Sequence, residues 1–379
     1  MDFEESEYHE RIAKVQAVLA RAGVDAGVIV NLELICYLTG YDAHTHFSQQ
    51  ALVLGSSGEP AFVLRDVDVP VAEDTSCVRD LRPYHFGGAK AADVVAAAVR
   101  EKAGAAARVG VDLRTYALTG EYAFALQAAL APASIVDVST VVNAVRLTKS
   151  DAEIAYVRKA AEYAEAGLAA AREVIRAGIT EIQLAAAIEA GMRAAGSEYP
   201  AMPTWVGSGE RIRGGHRTPT RRVLAKGDMV KVEFAGVHAR YHAVTMQTFA
   251  TGEPGPVARR VYDAARESLI AGTAEVRPGG PVADAERRAV EVLRTKGFDP
   301  HDMSRFGYGV GLQFPPTWLE GLEIIVESEQ VFEPNMSFVL HTSLKDPVAK
   351  TATLIGGAYI TTKTGVECLS GGPLELLVA

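Results

Sequence analysis

Val174-Ile-Arg-Ala-Gly178, a helical pattern and then Gly196 return later in the chain as Val276-Arg-Pro-Gly279, a helical pattern and Gly297. Gly178 and Gly279 are 101 residues apart, as are Gly196 and Gly297. Each copy runs into a Gly/Pro-rich loop and then into strands. A helix–helix–strand unit repeated in this way predicts one pseudo-symmetric domain, with a site between the halves where the two copies face each other. The competing explanation is a chance likeness of two amphipathic, Ala-rich helices.

On its N-terminal side the repeat is bounded by Ser150-Asp-Ala-Glu153, a capping box in which the Ser hydroxyl and the Glu carboxylate satisfy the open end of a new helix. This predicts a long helix from Asp151 to Arg176 and starts a second domain at 148. The preceding segment alternates element types. A helical pattern runs from Tyr8 to Arg21, and strands are expected at Ala26–Val30, Ala51–Leu54 and Ala61–Leu64. An Ala-rich helix from Ala89 to Ala103 and a strand Arg108–Asp112 follow. This βαβ-type pattern predicts a small α/β domain over residues 1–147, followed by a second domain over 148–379. A length of 379 residues also favours two domains.

Apolar residues make up 48% of the chain, enough for ordinary packed cores. The net charge of −9 comes from Lys, Arg, Asp and Glu mixed along the sequence, without a basic footprint for nucleic acid. No window approaches the ~18 apolar residues of a membrane span, and the acidic start, Met1-Asp-Phe-Glu-Glu-Ser6, is unlike a signal peptide. A cytoplasmic protein acting on a small molecule, with no nucleic-acid or membrane partner, is expected. Cys36, Cys77 and Cys368 are scattered, odd in number and not in metal spacing, so buried free thiols are the expected reading.

Lys226-Gly-Asp-Met-Val-Lys-Val-Glu-Phe-Ala-Gly236 is followed by Tyr241-His242 and Thr248-Phe249, and later by Phe306-Gly-Tyr-Gly-Val-Gly311 and Glu333-Pro-Asn-Met336. Together these motifs resemble the creatinase/Xaa-Pro aminopeptidase (prolidase-like) family over essentially the whole chain. The resemblance implies an α+β protein: an N-terminal creatinase-like α/β domain, then a C-terminal pita-bread domain with an internal pseudo-twofold repeat. It also implies a homodimer. In metal-dependent members two Asp, one His and two Glu hold two divalent cations; here the corresponding positions are Glu233, Val244, Tyr308, His341 and Gly356. A bridged two-cation site needs several anionic oxygen donors, so neither a metal nor another cofactor is expected. Creatinases, as members without metals, hydrolyse C–N bonds with side chains alone. Ectoine hydrolases resemble the chain more closely still. The shared features are Tyr37-Leu-Thr-Gly-Tyr-Asp42, Glu233 followed by Ala235-Gly236, and Phe306-Gly-Tyr308 running into Pro315-Pro-Thr-Trp318.

In Val230-Lys-Val-Glu-Phe234 side chains alternate, so Lys231 and Glu233 share one face and the apolar residues the other. A strand carboxylate is costly to bury unless paired or used. Glu233 is therefore a candidate catalytic residue, weighed against a plain, partly exposed position beside Lys231. His216, on the loop Gly214-Gly-His-Arg-Thr-Pro219, stands where creatinase-like relatives carry their acid/base. Its unperturbed pKa of about 6.5 suits that task, although a lone loop histidine is usually just solvated. Tyr308 replaces the family's metal-binding His. Its phenol is a donor for an oxyanion or a leaving nitrogen, or else a structural Tyr satisfied by backbone. His341, read as the end of a strand Ser337–His341, is a second acid/base or a partner for a substrate carboxylate. Trp318, Glu320 and Glu323 follow Pro315-Pro316, and an indole with nearby carboxylates is a seat for a delocalised cation. The plainer alternative is a surface loop anchored by one Trp. Tyr241 and His242 are grouped with the substrate-binding residues, His242 reading more as a core or supporting residue than as a proton carrier. The resemblance to dimeric relatives, whose first domain reaches the partner's site, adds Arg65 as a further partner for a substrate carboxylate.

The expected activity is metal-independent hydrolysis of a non-peptide C–N bond in a small zwitterionic compound, an ectoine-like cyclic amidine. Two alternatives keep the fold: a biosynthetic enzyme that closes a ring or forms an amide, and a non-catalytic binding protein. A metal-dependent Xaa-Pro aminopeptidase is least favoured, because Val244 and Gly356 cannot coordinate.

Overall fold

The computed structural model describes residues 2–88, 90–105 and 107–379, and its chain divides into two units, Met1–Arg146 and Leu147–Ala379. The first unit contains α1 (Glu5–Arg21), β1 (Ala26–Ile29), α2 (Leu32–Thr39), β2 (Ala51–Gly55), β3 (Ala61–Arg65), α3 (Val69–Thr75) and β4 (Asp80–Tyr84). It continues with α4 (Ala91–Ala103), β5 (Arg108–Val111), α5 (Gly120–Leu130), β6 (Ser134–Asp137) and α6 (Ser139–Ala144). The six strands form one sheet of order β4-β3-β2-β1-β5-β6. It is mixed: β2 runs antiparallel to β1 and β3, and the other neighbours are parallel. Val95, Ala96 and Val99 of α4 share a buried core with Val28, Val53 and Val63 of the sheet.

The four expected strands of this unit appear within one residue of their predicted ends. Six elements are not anticipated: α3, α5, α6, β4, β6 and α2, whose first turn is capped by the Asn31 side chain accepting from the Leu34 N–H. Helix α4 begins at Ala91; Ala89, its expected start, lies outside the described residues.

The second unit opens with α7 (Asp151–Val174). Ser150 Oγ accepts from the Glu153 N–H, and the Glu153 side chain accepts from the Ser150 N–H, so the expected capping box is formed. The helix stops short of Arg176 because Ile175 is already extended, at φ −64° and ψ 124°. Then come α8 (Glu181–Ala195), β7 (Trp205–Ser208), β8 (Met229–His238) and β9 (Tyr241–Ala250). A second set follows as α9 (Pro256–Thr273), α10 (Val282–Thr295), β10 (Gly307–Val310), β11 (Leu319–Ile324), β12 (Ser337–Asp346) and β13 (Thr351–Thr361).

The sheet order β11-β10-β12-β13-β9-β8-β7 states the symmetry directly. Reading outward from the β13–β9 seam, β13, β12 and β10 of the second half mirror β9, β8 and β7 of the first. Gly196 after α8 and Gly297 after α10 both take left-handed φ values, +110° and +79°, and Gly178 and Gly279 do the same at +96° and +78°. The 101-residue period in the sequence is thus a repeated backbone conformation, one that glycine adopts without steric cost. The α+β architecture with an internal pseudo-twofold repeat is present as expected.

Two local expectations are corrected. Strand β12 pairs with β13 from Ser337 through Asp346, so His341 lies in mid-strand rather than at its end. Cys36 and Cys77 are buried free thiols, but Cys368 is exposed on the short edge strand that follows β13. Among the described residues, no helix is long and apolar enough to cross a membrane.

Helix α7 packs directly on β8 and β9, and it passes tightly over Gly236. A Cβ there would collide with the Ala160 carbonyl and approach the Ala164 nitrogen, both backbone atoms of α7 that cannot rotate away. Gly236→Ala should therefore cost ~2 kcal/mol or more by overpacking. Gly321→Ala, whose added Cβ meets nothing, should stay within ~0.5 kcal/mol of wild type. Denaturant unfolding of the full chain measures both.

Candidate active site

Cross-strand register assembles the site. Glu233 on β8 is opposite Met246 on β9, Met246 is opposite Gly356 on β13, and Gly356 is opposite His341 on β12. One row across the four central strands therefore carries Glu233 from the first half of the repeat and His341 from the second. Tyr308 on β10 pairs with Val339, two residues before His341, and so points to the same face. Above this face lies a cavity of about 230 Å³ lined by Glu233, Tyr308, Trp318, His341 and His216 among others.

The alternation along β8 behaves as expected. Val230, Val232 and Phe234 enter an apolar core with α7 and α8, while Lys231 and Glu233 both line the cavity. His216 arrives on its loop and its ring centroid lies 4.3 Å from that of Trp205. Both ends of this loop are tied to one buried carboxylate. Glu181, at the start of α8, accepts from the backbone N–H and hydroxyl of Ser208, from those of Thr220, and from Arg211. Trp205, Trp318, Tyr308 and His341 continue the aromatic wall, with successive ring centroids near 6 Å or closer where they face each other. Trp318 is fully buried, and its indole N–H donates to the Tyr308 hydroxyl oxygen at 3.1 Å.

Burial sets the protonation of this site. The Glu233 carboxyl is pushed up to about 7 by burial, against the pull of Lys231 and Arg305, and it makes no hydrogen bond or ion pair among the described residues. Burial likewise lowers the Lys231 ammonium to about 8. Burial keeps the Tyr308 phenol protonated well above its usual range and lowers His341 to about 3, leaving a neutral imidazole. The Nδ1 of His341 is buried with no hydrogen-bond partner among the described residues. Partial burial, reinforced by the Lys231 and Arg305 charges, lowers His216, so it too is neutral at pH 7.

The five positions that hold metals in metal-dependent relatives do not fit two divalent cations here. They supply one carboxylate, Glu233, with a phenol and an imidazole. Val244 packs in an apolar cluster with Ala235, Met246 and Trp318. Gly356 has φ +153°, and a Cβ there would strike the Leu340 carbonyl and lie 2.6 Å from His341 Cα, so no side chain can stand at that position. Lys231 adds a positive charge on the same face. Among the described residues, no group of three or more His, Cys, Asp or Glu is arranged to hold a metal ion.

Several expected site residues are occupied elsewhere. Glu320 is buried against Lys149, its Oε2 2.5 Å from the Nζ, and Glu323 pairs with Arg305 at 3.3 Å on a half-exposed edge. The cation seat built from Trp318 with these two carboxylates is therefore not formed. Tyr241 donates its hydroxyl proton to Glu153 at 2.7 Å, inside the core. His242 is fully buried; its Nε2 accepts from the Ala201 N–H at 2.9 Å and its Nδ1 lies 2.8 Å from the Arg240 carbonyl. That arrangement fixes a neutral tautomer and, with burial lowering it to about 3, makes it a structural residue. Arg65 ends β3 in the first unit, its guanidinium 5.4 Å from the Phe86 ring centroid. Sequence reasoning missed Arg305, Trp205 and Lys231 as cavity residues. Lys231 was recoverable from the same alternation that selected Glu233, and Arg305 immediately precedes the Phe306-Gly-Tyr308 motif.

Residues 155–367 match metallopeptidase family M24, and residues 11–148 match the creatinase/prolidase N-terminal domain. An uncharacterised hydrolase/peptidase of Sinorhizobium fredii, y4tM, is 30% identical over 394 residues, covering 100% of this chain and 99% of that one. The ectoine hydrolase of Halomonas elongata is 28% identical over 397 residues, covering 100% of this chain and 98% of its own. The crystal structure of dipeptidase PepE from Mycobacterium ulcerans superimposes with a TM-score of 0.87 at 27% identity, covering 99% of both chains.

The raised Glu233 pKa has a definite stability signature. Between the ordinary carboxyl value, 4.5, and about 7, the folded protein holds a proton that the unfolded chain has released. Stability from this group is complete below 4.5 and is lost as the pH rises through 7. Glu233→Gln should not show this loss, so its stability relative to wild type should grow by up to ~3 kcal/mol across that window. Denaturant unfolding at a series of pH values measures the difference.

Proposed function

We propose for this chain, which belongs to metallopeptidase family M24, hydrolysis of a non-peptide C–N bond in a small zwitterion, an ectoine-like cyclic amidine, by side chains alone. The observation that carries the reading is the donor set of the cavity: the frame of a two-metal site with one carboxylate left in it, between an apolar Val244 and a Gly356 that admits no side chain. Full-length similarity to an ectoine hydrolase supports the substrate class.

In this reading Glu233 faces the amidinium. Being the cavity's one acidic side chain, it ionises when a cation replaces the water it has lost. Neutral His216 at the loop accepts a proton from water as the oxygen attacks the central amidine carbon. The tetrahedral centre collapses by breaking one C–N bond, and the departing nitrogen takes a proton, so the ring opens to an amide and an amine. Tyr308 is better suited than His341 to assist that nitrogen. Trp318 occupies a lone pair of the Tyr308 oxygen and the phenol stays protonated, leaving its O–H to donate into the cavity. His341 remains a neutral hydrogen-bonding partner. A positioned acid/base and a preorganised donor each contribute about 10²–10³ in rate, so the scheme does not depend on a metal.

His216→Ala should abolish turnover of ectoine in chelator-treated protein while leaving the fold intact by circular dichroism. Tyr308→Phe should lower kcat by about 10² or more. Substantial turnover in His216→Ala would remove this assignment. Stoichiometric metal by elemental mass spectrometry, with cleavage of Xaa-Pro dipeptides, would replace it by a peptidase like the PepE relative.

A further inference from the structure

The cavity holds more positive than negative charge, and its most buried cation has no hydrogen-bond or ion-pair partner among the described residues. Lys231 is 5% exposed, lines the cavity beside Glu233, and forms no hydrogen bond or ion pair among the described residues. Arg305 enters from the other half of the repeat. Its guanidinium carbon lies 4.6 Å from the Tyr308 ring centroid, and one nitrogen is shared with Glu323 at 3.3 Å. Its charge reaches Glu233, His216, Tyr308 and His341, which places it centrally among the cavity groups. Arg217, on the His216 loop, adds a third positive charge near Lys231. The acidic side chain set against them inside the cavity is Glu233 alone.

A buried ammonium without a partner is costly, and the cost falls when an anion is brought to it. We propose that Lys231 and Arg305 form the anion subsite of this cavity and bind a carboxylate of the substrate, while Glu233 takes the cationic pole. This rests on the amidine-hydrolase reading above and adds what that reading leaves unassigned: which residues recognise the anionic pole of the zwitterion.

The spacing also limits the ligand. Lys231 and Glu233 are two residues apart on one strand face, about 7 Å along the chain. The two poles of the ligand are therefore a few ångströms apart, as in a compact ring derived from an amino acid. The partners expected for the carboxylate give way on charge. His341 is held neutral by burial, whereas Lys231 and Arg305 are cations. Arg305 presents the planar fork suited to a carboxylate, and Lys231 a point charge.

Binding by isothermal titration tests the subsite with two probes: ectoine, and the same cyclic amidine ring lacking the carboxylate. Wild type should prefer ectoine by about tenfold or more, as expected for a desolvated charge-assisted contact. Lys231→Met and Arg305→Gln should each shrink that preference severalfold, the loss falling mainly on ectoine. Should Lys231→Met fail to fold, Arg305→Gln, at a partly exposed position, carries the test. An unchanged preference in the folded variants, or none in wild type, overturns the subsite. If neither ring binds, the amidine reading fails, and the subsite is tested with creatine, proline and glycine betaine against choline and pyrrolidine. Carboxylate-dependent binding that weakens in Arg305→Gln upholds it; no carboxylate preference in this set overturns it.

Discussion

Everything at the candidate site depends on how closely β9 approaches β13. The two halves of the repeat meet there through only two register pairs, Met246 with Gly356 and Thr245 with Gly357. On the β13 side both seam residues are glycines, packed too closely within their own half to carry a side chain. A Cβ on Gly356 would enter the backbone of β12, and one on Gly357 would enter the carbonyl of Ser370. Closing this seam makes one continuous row from Glu233 to His341. A bulkier residue at 356 would push β13 away from β12 and break the row at His341.

The same seam explains how the frame of the family's site can persist while the side chains in it differ. In a sheet, the direction of each side chain follows from pleat and register, not from what the side chain binds. Glu233, Tyr308 and His341 therefore converge because β8, β10 and β12 hold their places, whichever chemistry those residues carry. The apolar substitution at Val244 is absorbed into a local cluster with Ala235 and Met246. An apolar residue at this position is thus compatible with the fold, and it leaves Glu233 as the acidic side chain that lines the cavity.

What the sequence made legible follows the same division. Periodic and local features were readable: the glycine period, the capping box at Ser150, and the shared face of Lys231 and Glu233. The convergence of Glu233, His216, Tyr308, Trp318 and His341 on one cavity was legible through the family resemblance and strand alternation. Pairings across long sequence separations were not. Glu320 finds Lys149, 171 residues away, and Tyr241 finds Glu153, 88 residues away, so both leave the substrate-binding set. No local pattern signals such partners, because burial decides which polar groups must be paired, and burial is a property of the closed fold. His341 was read as a strand end for a related reason. The ladder to β13 continues through Ser343 and Lys345, a pairing made only in the closed sheet.

Lys231 and Glu233 show how far proximity of opposite charges falls short of neutralising them. They share a face and feel each other's charge, but burial dominates at both, drawing the acid up to about 7 and the amine down to about 8. In water such a pair would be fully ionised at pH 7 and weakly coupled. In this cavity both groups titrate near neutral pH, so a small change in surroundings shifts their proton occupancy. A ligand with an anion near Lys231 and a cation near Glu233 favours both charged forms at once, whereas a neutral ligand favours neither. A cavity of this kind therefore distinguishes ligands by their charge. A single carboxylate beside a buried lysine is what stands at this site, where three of the four acid positions of metal-dependent relatives carry Val244, His341 and Gly356.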